Sequence, residues 1–156
     1  MATQEFDKEF QQLCTAMIEI AYEYVDYNEE EVDAIYVYCS MEANTLFYDV
    51  FYKINGEYVF TNEVNNFSKK QYDVSEKRVF QLLDIGNDYL DKMEALFTKD
   101  EREVPTQIKM IYIPKKEAFD CQISYELHFS QESSTWSNGT VFDNWLEELK
   151  EQNTNQ

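Results

Sequence analysis

Apolar residues recur at steps of three and four at the start of the chain. Phe6, Phe10, Leu13, Cys14, Met17, Ile20, Ala21 and Tyr24 share one stripe of a helix spanning roughly 5–25. The period then changes. "VDAIYVYCS" (32–40) is dense in β-branched and aromatic residues, and "LFYDVFYKI" (46–54) sets Leu46, Tyr48, Val50, Tyr52 and Ile54 on one face at period two; both read as strands. Asn55-Gly56 joins the second to "EYVFTN", and this pair is a strong two-residue hairpin signal because a type I′ turn needs positive φ at both central positions. That register puts Phe51 opposite Phe60 and Tyr52 opposite Val59.

Helical spacing returns with Val79, Leu82, Leu83, Gly86, Leu90, Met93 and Phe97. They define a second and longest helix at about 74–98, opened by Asp73 and Glu76 at capping-box spacing. Pro105 stops it, and "TQIKMIYIP" alternates at Ile108, Met110 and Tyr112 before a turn at Lys115-Lys116-Glu117. In "AFDCQISYELHF" the alternation is the cleanest in the chain, predicting Phe119, Cys121, Ile123, Tyr125, Leu127 and Phe129 inward and Asp120, Gln122, Ser124, Glu126 and His128 outward. After the polar loop "SQESSTWSNG", Thr140 with Asp143 opens a short helix carrying Phe142, Trp145, Leu146 and Leu149. The order is α-β-β-β-α-β-β-α with tight hairpins, which predicts an α+β class: an antiparallel sheet of about five strands packed with helices. With no internal repeat and no linker, residues 1–150 are expected to form one domain and 151–156 a loose tail.

Composition changes the picture through charge. Acids number 31 against 13 Lys and Arg, a formal net charge of −18. Residues 1–64 hold 14 acids and only Lys8 and Lys53, net −12, so the N-terminal half is the acidic half. Such a field repels nucleic acid and anionic lipid and attracts cationic surfaces. Disordered acidic chains lack aromatics, whereas here 12 Tyr, 11 Phe and 2 Trp run through the sequence. No apolar run approaches the roughly 20 residues of a membrane span, and the start "MATQEFDKEF" has no signal-peptide pattern, so a cytoplasmic protein is expected. Cys14, Cys39 and Cys121, odd in number and set in apolar patterns, read as reduced thiols within the fold.

The inventory of chemistry is thin. His128 is the only histidine, and it falls on the outward face of its strand. With Gly56, Gly86 and Gly139 as the only glycines, no Gly-rich phosphate loop can be built. In "DYNEEEVD", Asp26, Asn28 and Glu30 sit at the first alternating positions of a calcium loop, but the position needing Gly holds Glu31 and the twelfth is Val37. Neither a cofactor nor an enzymatic activity is expected. What remains is "YEYVDYNEEEVD" (22–33), where tyrosines stand among uncompensated acids; it is either a solvated turn or a protein-binding edge. Acidic ridges favour the edge. Glu19, Glu23 and Asp26 follow at steps of four and three, as do Asp84, Asp88 and Asp91, and like charges so spaced weaken a helix by a few tenths of a kcal/mol per pair. The candidate partner surface is therefore Glu19, Glu23, Asp26, Tyr27, Glu29, Glu30, Glu31 and Asp33, with Asp84, Asp88 and Asp91 as the second choice; charge reversal at Glu29, Glu30 and Glu31 is expected to leave folding intact.

Three segments also carry a resemblance: the aromatic hairpin strands "VYVYCS" and "LFYDVFYKINGEYVF", then "YDVS" opening a leucine-rich acidic helix, then "PTQIKMIY" followed by "FDCQISYE". Over roughly residues 5–130 the chain resembles the YezG-like immunity proteins, bacterial antitoxins paired with secreted polymorphic toxins, many of them nucleases. It departs from their pattern where a tryptophan beside the Thr of "PT" and a Gly-Lys turn in place of "KKEAF" would stand. The resemblance implies no catalytic residues and a protein toxin with a basic surface as partner, blocked by occlusion. The rival reading from composition is a small intracellular adaptor or self-associating protein whose charge serves solubility; the oligomeric state stays open.

Overall fold

The computed structural model describes residues 2–130 and 136–154. Along the chain run α1 (Ala2–Tyr24), β1 (Val32–Ser40), β2 (Phe47–Ile54), β3 (Glu57–Phe60), α2 (Glu76–Lys99), β4 (Gln107–Ile113), β5 (Ala118–Ser124) and α3 (Asn138–Thr154), in the predicted order. All pairings are antiparallel, and the sheet order is β3-β2-β1-β4-β5. The fold is α+β. Among the described residues, no helix is long and apolar enough to cross a membrane.

β1 lies at the centre because its side chains are apolar on both faces. Ile35, Val37 and Cys39 enter the core under α1 and α2, while Ala34, Tyr36 and Tyr38 enter the core under α3. α1 and α2 run antiparallel: the Phe6 ring meets Phe97 edge-on at 4.9 Å, and at the other end the Arg78 guanidinium lies 5.2 Å from the Tyr24 ring. On the opposite face Trp145 and Phe142 of α3 pack on Tyr36, Tyr38 and Phe51. The Asn55-Gly56 turn has φ of 49° and 86°, and Phe51 pairs with Phe60 and Tyr52 with Val59, as the hairpin signal predicts.

Buried tyrosines tie the helical layer to the sheet. Tyr48 and Tyr52, both fully buried on β2, donate their hydroxyls to the α1 carbonyls of Met17 (2.9 Å) and Ala21 (2.6 Å), and Tyr24 donates to the Thr61 carbonyl at 2.9 Å. Burial pushes the Tyr48 and Tyr52 phenols well above their usual pKa, so they remain donors. Gly86 is the point where α2 crosses Tyr48: an added Cβ would lie 2.0 Å from the ring.

Four expectations need correction. Ser75, not Asp73, caps α2: its hydroxyl accepts the Arg78 N–H at 3.3 Å, while Asp73 accepts the Ser75 N–H one step earlier. α3 begins at Asn138 rather than Thr140, because the Ser137 hydroxyl is available to accept the Thr140 N–H. It then continues through 151–154, within the expected tail, of which 155–156 lie outside the described residues. The largest correction is β5. The strand ends at Ser124 instead of reaching Phe129, and Phe119, Ile123, Tyr125 and Leu127, all predicted inward, are 49%, 43%, 47% and 53% exposed. The contacts of α1 and α2 fall mainly on β1, β4 and β2; β5 meets the core through Cys121, beside Cys14 of α1, and its large apolar side chains on either side stay exposed.

Cys14 and Cys39 are buried, Cys121 is partly so, and all three are free. The Gly86→Ala variant should lose roughly 1–3 kcal/mol of unfolding free energy through overpacking against Tyr48. Gly139→Ala, whose Cβ meets nothing closer than 3.7 Å, should be neutral or stabilising. Urea unfolding of the two variants beside the natural protein measures the contrast.

Candidate functional site

α1 ends at Tyr24, and the chain turns through two non-glycine left-handed residues, Asp26 (φ 50°) and Tyr27 (φ 54°). The turn is closed by the Asp26 N–H to the Glu23 carbonyl (2.8 Å) and the Tyr27 N–H to the Tyr22 carbonyl (3.0 Å). It brings the Tyr27 ring against Tyr22, centroids 5.0 Å apart and tilted 70°, and Tyr22 in turn meets Tyr112 of β4. The Tyr27 phenol pKa is pushed up, by partial desolvation first and then by the carboxylates of Glu19 and Glu23. Glu19, Glu23 and Tyr27 therefore form one exposed group at this end of α1.

The other candidate acids divide by what they touch. Glu29 and Glu30 are exposed and, among the described residues, enter no ion pair. Asp26 pairs with Lys70 at 3.4 Å. Asp33 accepts the Gly56 N–H at 2.8 Å and lies 3.8 Å from the Lys115 ammonium. Glu31 lies at the surface. Its carboxylate accepts the Lys69 N–H (2.7 Å), the Asn55 side chain (2.9 Å), the Lys70 N–H (3.1 Å) and the Asn28 side chain (3.1 Å). It joins the α1–β1 connection, the β2–β3 turn and the 69–70 loop, and these hydrogen bonds, Lys69 first, hold its pKa down at about 2. Reversal of Glu31 would break these four bonds, so the expectation of reversal without harm to folding is kept for Glu29 and Glu30. Asp84, Asp88 and Asp91 line the exposed face of α2, separate from this group.

Sequence reasoning passed over two carboxyls whose pKa values the fold shifts in opposite directions. Glu42 is 1% exposed, and its carboxylate accepts the N–H groups of His128 (2.8 Å), Phe129 (3.1 Å) and Ser130 (2.7 Å) together with the Ser130 hydroxyl. Burial opposes ionisation, but these donors outweigh it and its pKa is lowered. Asp49 on β2 lies with Asp143 of α3 in a groove of about 230 Å³ between sheet and helix, and burial pushes its carboxyl up to about 6. No histidine, cysteine or lysine lines that groove, which is smaller than the roughly 300 Å³ at which ligand pockets begin.

His128 is not on a strand. It lies in the loop after β5, its Nε2 2.9 Å from the Ser124 hydroxyl. That contact has the length of a nucleophile–base pair, but Glu42 binds the backbone of His128, not its ring, so it is not placed as the third member of a triad. No group of three or more His, Cys, Asp or Glu among the described residues is arranged to hold a metal ion. The chain matches no family model and no curated protein.

Two carboxyls should give opposite pH signatures. Glu31, with its pKa lowered from 4.5 to about 2, contributes stability above pH 4.5 that is lost as pH falls through about 2. Glu31→Gln should therefore lower the unfolding free energy at pH 7 by about 1 kcal/mol, a figure discounted for partial exposure, and the deficit should narrow at pH 3. Asp49, raised from 3.8 to about 6, contributes fully below pH 3.8 and loses its contribution as pH rises through about 6. Asp49→Asn should leave stability unchanged at pH 4 and raise it by about 1–2 kcal/mol at pH 8, by urea unfolding at both values.

Proposed function

We propose that the protein is a cytoplasmic immunity protein that binds a cognate secreted bacterial toxin and blocks it by occlusion. The toxin class favoured by the charge is a nuclease, because an enzyme acting on nucleic acid must present a basic cleft to the phosphate backbone. The observation that carries this reading is the exposed acidic end of α1, where Glu19 and Glu23 flank Tyr27 and Glu29 and Glu30 follow in the turn, on a chain of net charge −18. Tyrosine supplies rigid contact area with a hydrogen-bonding tip, and the acids steer a cationic surface towards it. Asp26, Glu31 and Asp33 brace this surface through their bonds to Lys70, the 69–70 loop and the β2–β3 turn.

The adaptor reading keeps one observation of its own: the exposed apolar residues of β5 suit association that does not depend on charge. Salt separates the two. Co-expression with the product of the neighbouring gene should abolish that product's toxicity and give a complex. Lysine at Glu19, Glu23, Glu29 and Glu30, with Glu31 left in place, should slow association at least tenfold at low salt, less at high salt, with unfolding unchanged. An unaltered on-rate would remove the acidic end of α1 from the interface.

A further inference from the structure

β5 is the last strand of the sheet. All seven of its residues pair with β4, from Ala118 opposite Ile113 to Ser124 opposite Gln107, and among the described residues no strand pairs with its other edge. Proteins usually blunt such an edge with a lysine, a proline, a bulge or a short strand. The opposite edge, β3, is four residues long and leads straight into a 3-10 turn at Thr61–Asn66. β5 has none of these protections: "AFDCQIS" contains no Lys, Arg or Pro, and its register runs without a bulge.

Beside this edge lies a groove of about 270 Å³ lined by Thr15, Ile18, Glu19 and Tyr22 of α1, Tyr112 of β4 and Phe119 of β5. It opens on the face of the sheet that carries Phe119 and Ile123, the two large exposed apolar side chains of the strand. We propose that the outer edge of β5 receives an extended basic segment of a partner protein as a sixth strand. Every second residue of the segment is apolar and faces the α1 side, where one fills the groove at Phe119; the residues between are Lys or Arg.

Charge selects this occupant over a second copy of the chain. Glu19 stands in the groove, Asp120 lies on the other face of the strand, and Glu126 is exposed just beyond its end. Of the two bases at the β4–β5 turn, Lys115 lies 3.8 Å from Asp33, and Lys116 is followed directly by Glu117. A second copy would bring these acids towards their own equivalents, each on a body of charge −18. A cationic strand neutralises them while its backbone completes the ladder. The edge is distinct from the exposed acidic end of α1, joins it at Glu19, and would serve whether or not the partner is a toxin.

A fluorescein-labelled ten-residue peptide of alternating valine and lysine is the probe, beside a valine–glutamate peptide and a valine–lysine peptide N-methylated at alternate backbone nitrogens. At low salt the valine–lysine peptide should bind by anisotropy and slow amide exchange at least tenfold within residues 118–124. The acidic peptide should not bind, and N-methylation should weaken binding at least tenfold, since it removes ladder donors without changing charge. The Phe119→Lys/Ile123→Lys variant, altered only at exposed positions and checked for native circular dichroism, should also lose at least tenfold. Absence of binding, equal binding of the N-methylated peptide, protection confined to segments other than β5, or an unaffected variant would each overturn the proposal. A concentration-dependent dimer with β5 protected in the absence of peptide would assign the edge to a second copy instead and overturn it equally.

Discussion

The structure turns on the two hydroxyls that Tyr48 and Tyr52 send from β2 into the backbone of α1. A buried phenol without a partner costs about 1–3 kcal/mol, and a helical carbonyl already bonded along its own helix still has a second lone pair to offer. Using Met17 and Ala21 as acceptors sets both the height and the rotation of α1 on the sheet. The exposed surface then follows from helical geometry. Glu19 and Glu23 each lie two residues beyond an acceptor, about 200° round the helix, and so stay exposed, Glu19 at the groove beside β4 and β5. The contacts that hold the core together also aim the acids that give the protein its proposed purpose.

Negative charge here has two uses that composition does not separate. Glu31, at the surface, and Glu42, buried, act as fasteners, each collecting backbone N–H groups from a segment that has no strand or helix of its own. Charge-assisted bonds of this kind are stronger than neutral ones, and they let long connections be ordered without more apolar core. Glu19, Glu23, Glu29 and Glu30 remain outward as field. Within one stretch of the chain, Glu29, Glu30 and Glu31 are chemically equivalent neighbours with different roles, because only the third meets the 69–70 loop and the Asn55 turn.

The sheet is covered unevenly. α3 and the α1–α2 pair close both faces over β1 and β2, whereas β5 keeps exposed apolar side chains and an outer edge that, among the described residues, no strand pairs with. The same feature that spoils the predicted burial of Phe119 and Ile123 leaves a surface on which a partner can act, beside Glu19 at the α1 groove.

Local periodicity was enough to read the three helices, the five strands and the Asn55-Gly56 register, because side-chain spacing and turn φ are set by residues within a few positions of each other. The acidic end of α1 was legible for the same reason: three-and-four spacing placed Glu19 and Glu23 on one side of a helix whose apolar side was plain. The pairing of Glu31 with Lys69 and of Glu42 with His128, 38 and 86 residues away, left no local trace. Nor did the exposure of β5. Alternation states which residues share a face of a strand; whether a helix covers that face depends on where the layer above it stops, and only the assembled tertiary structure decides that.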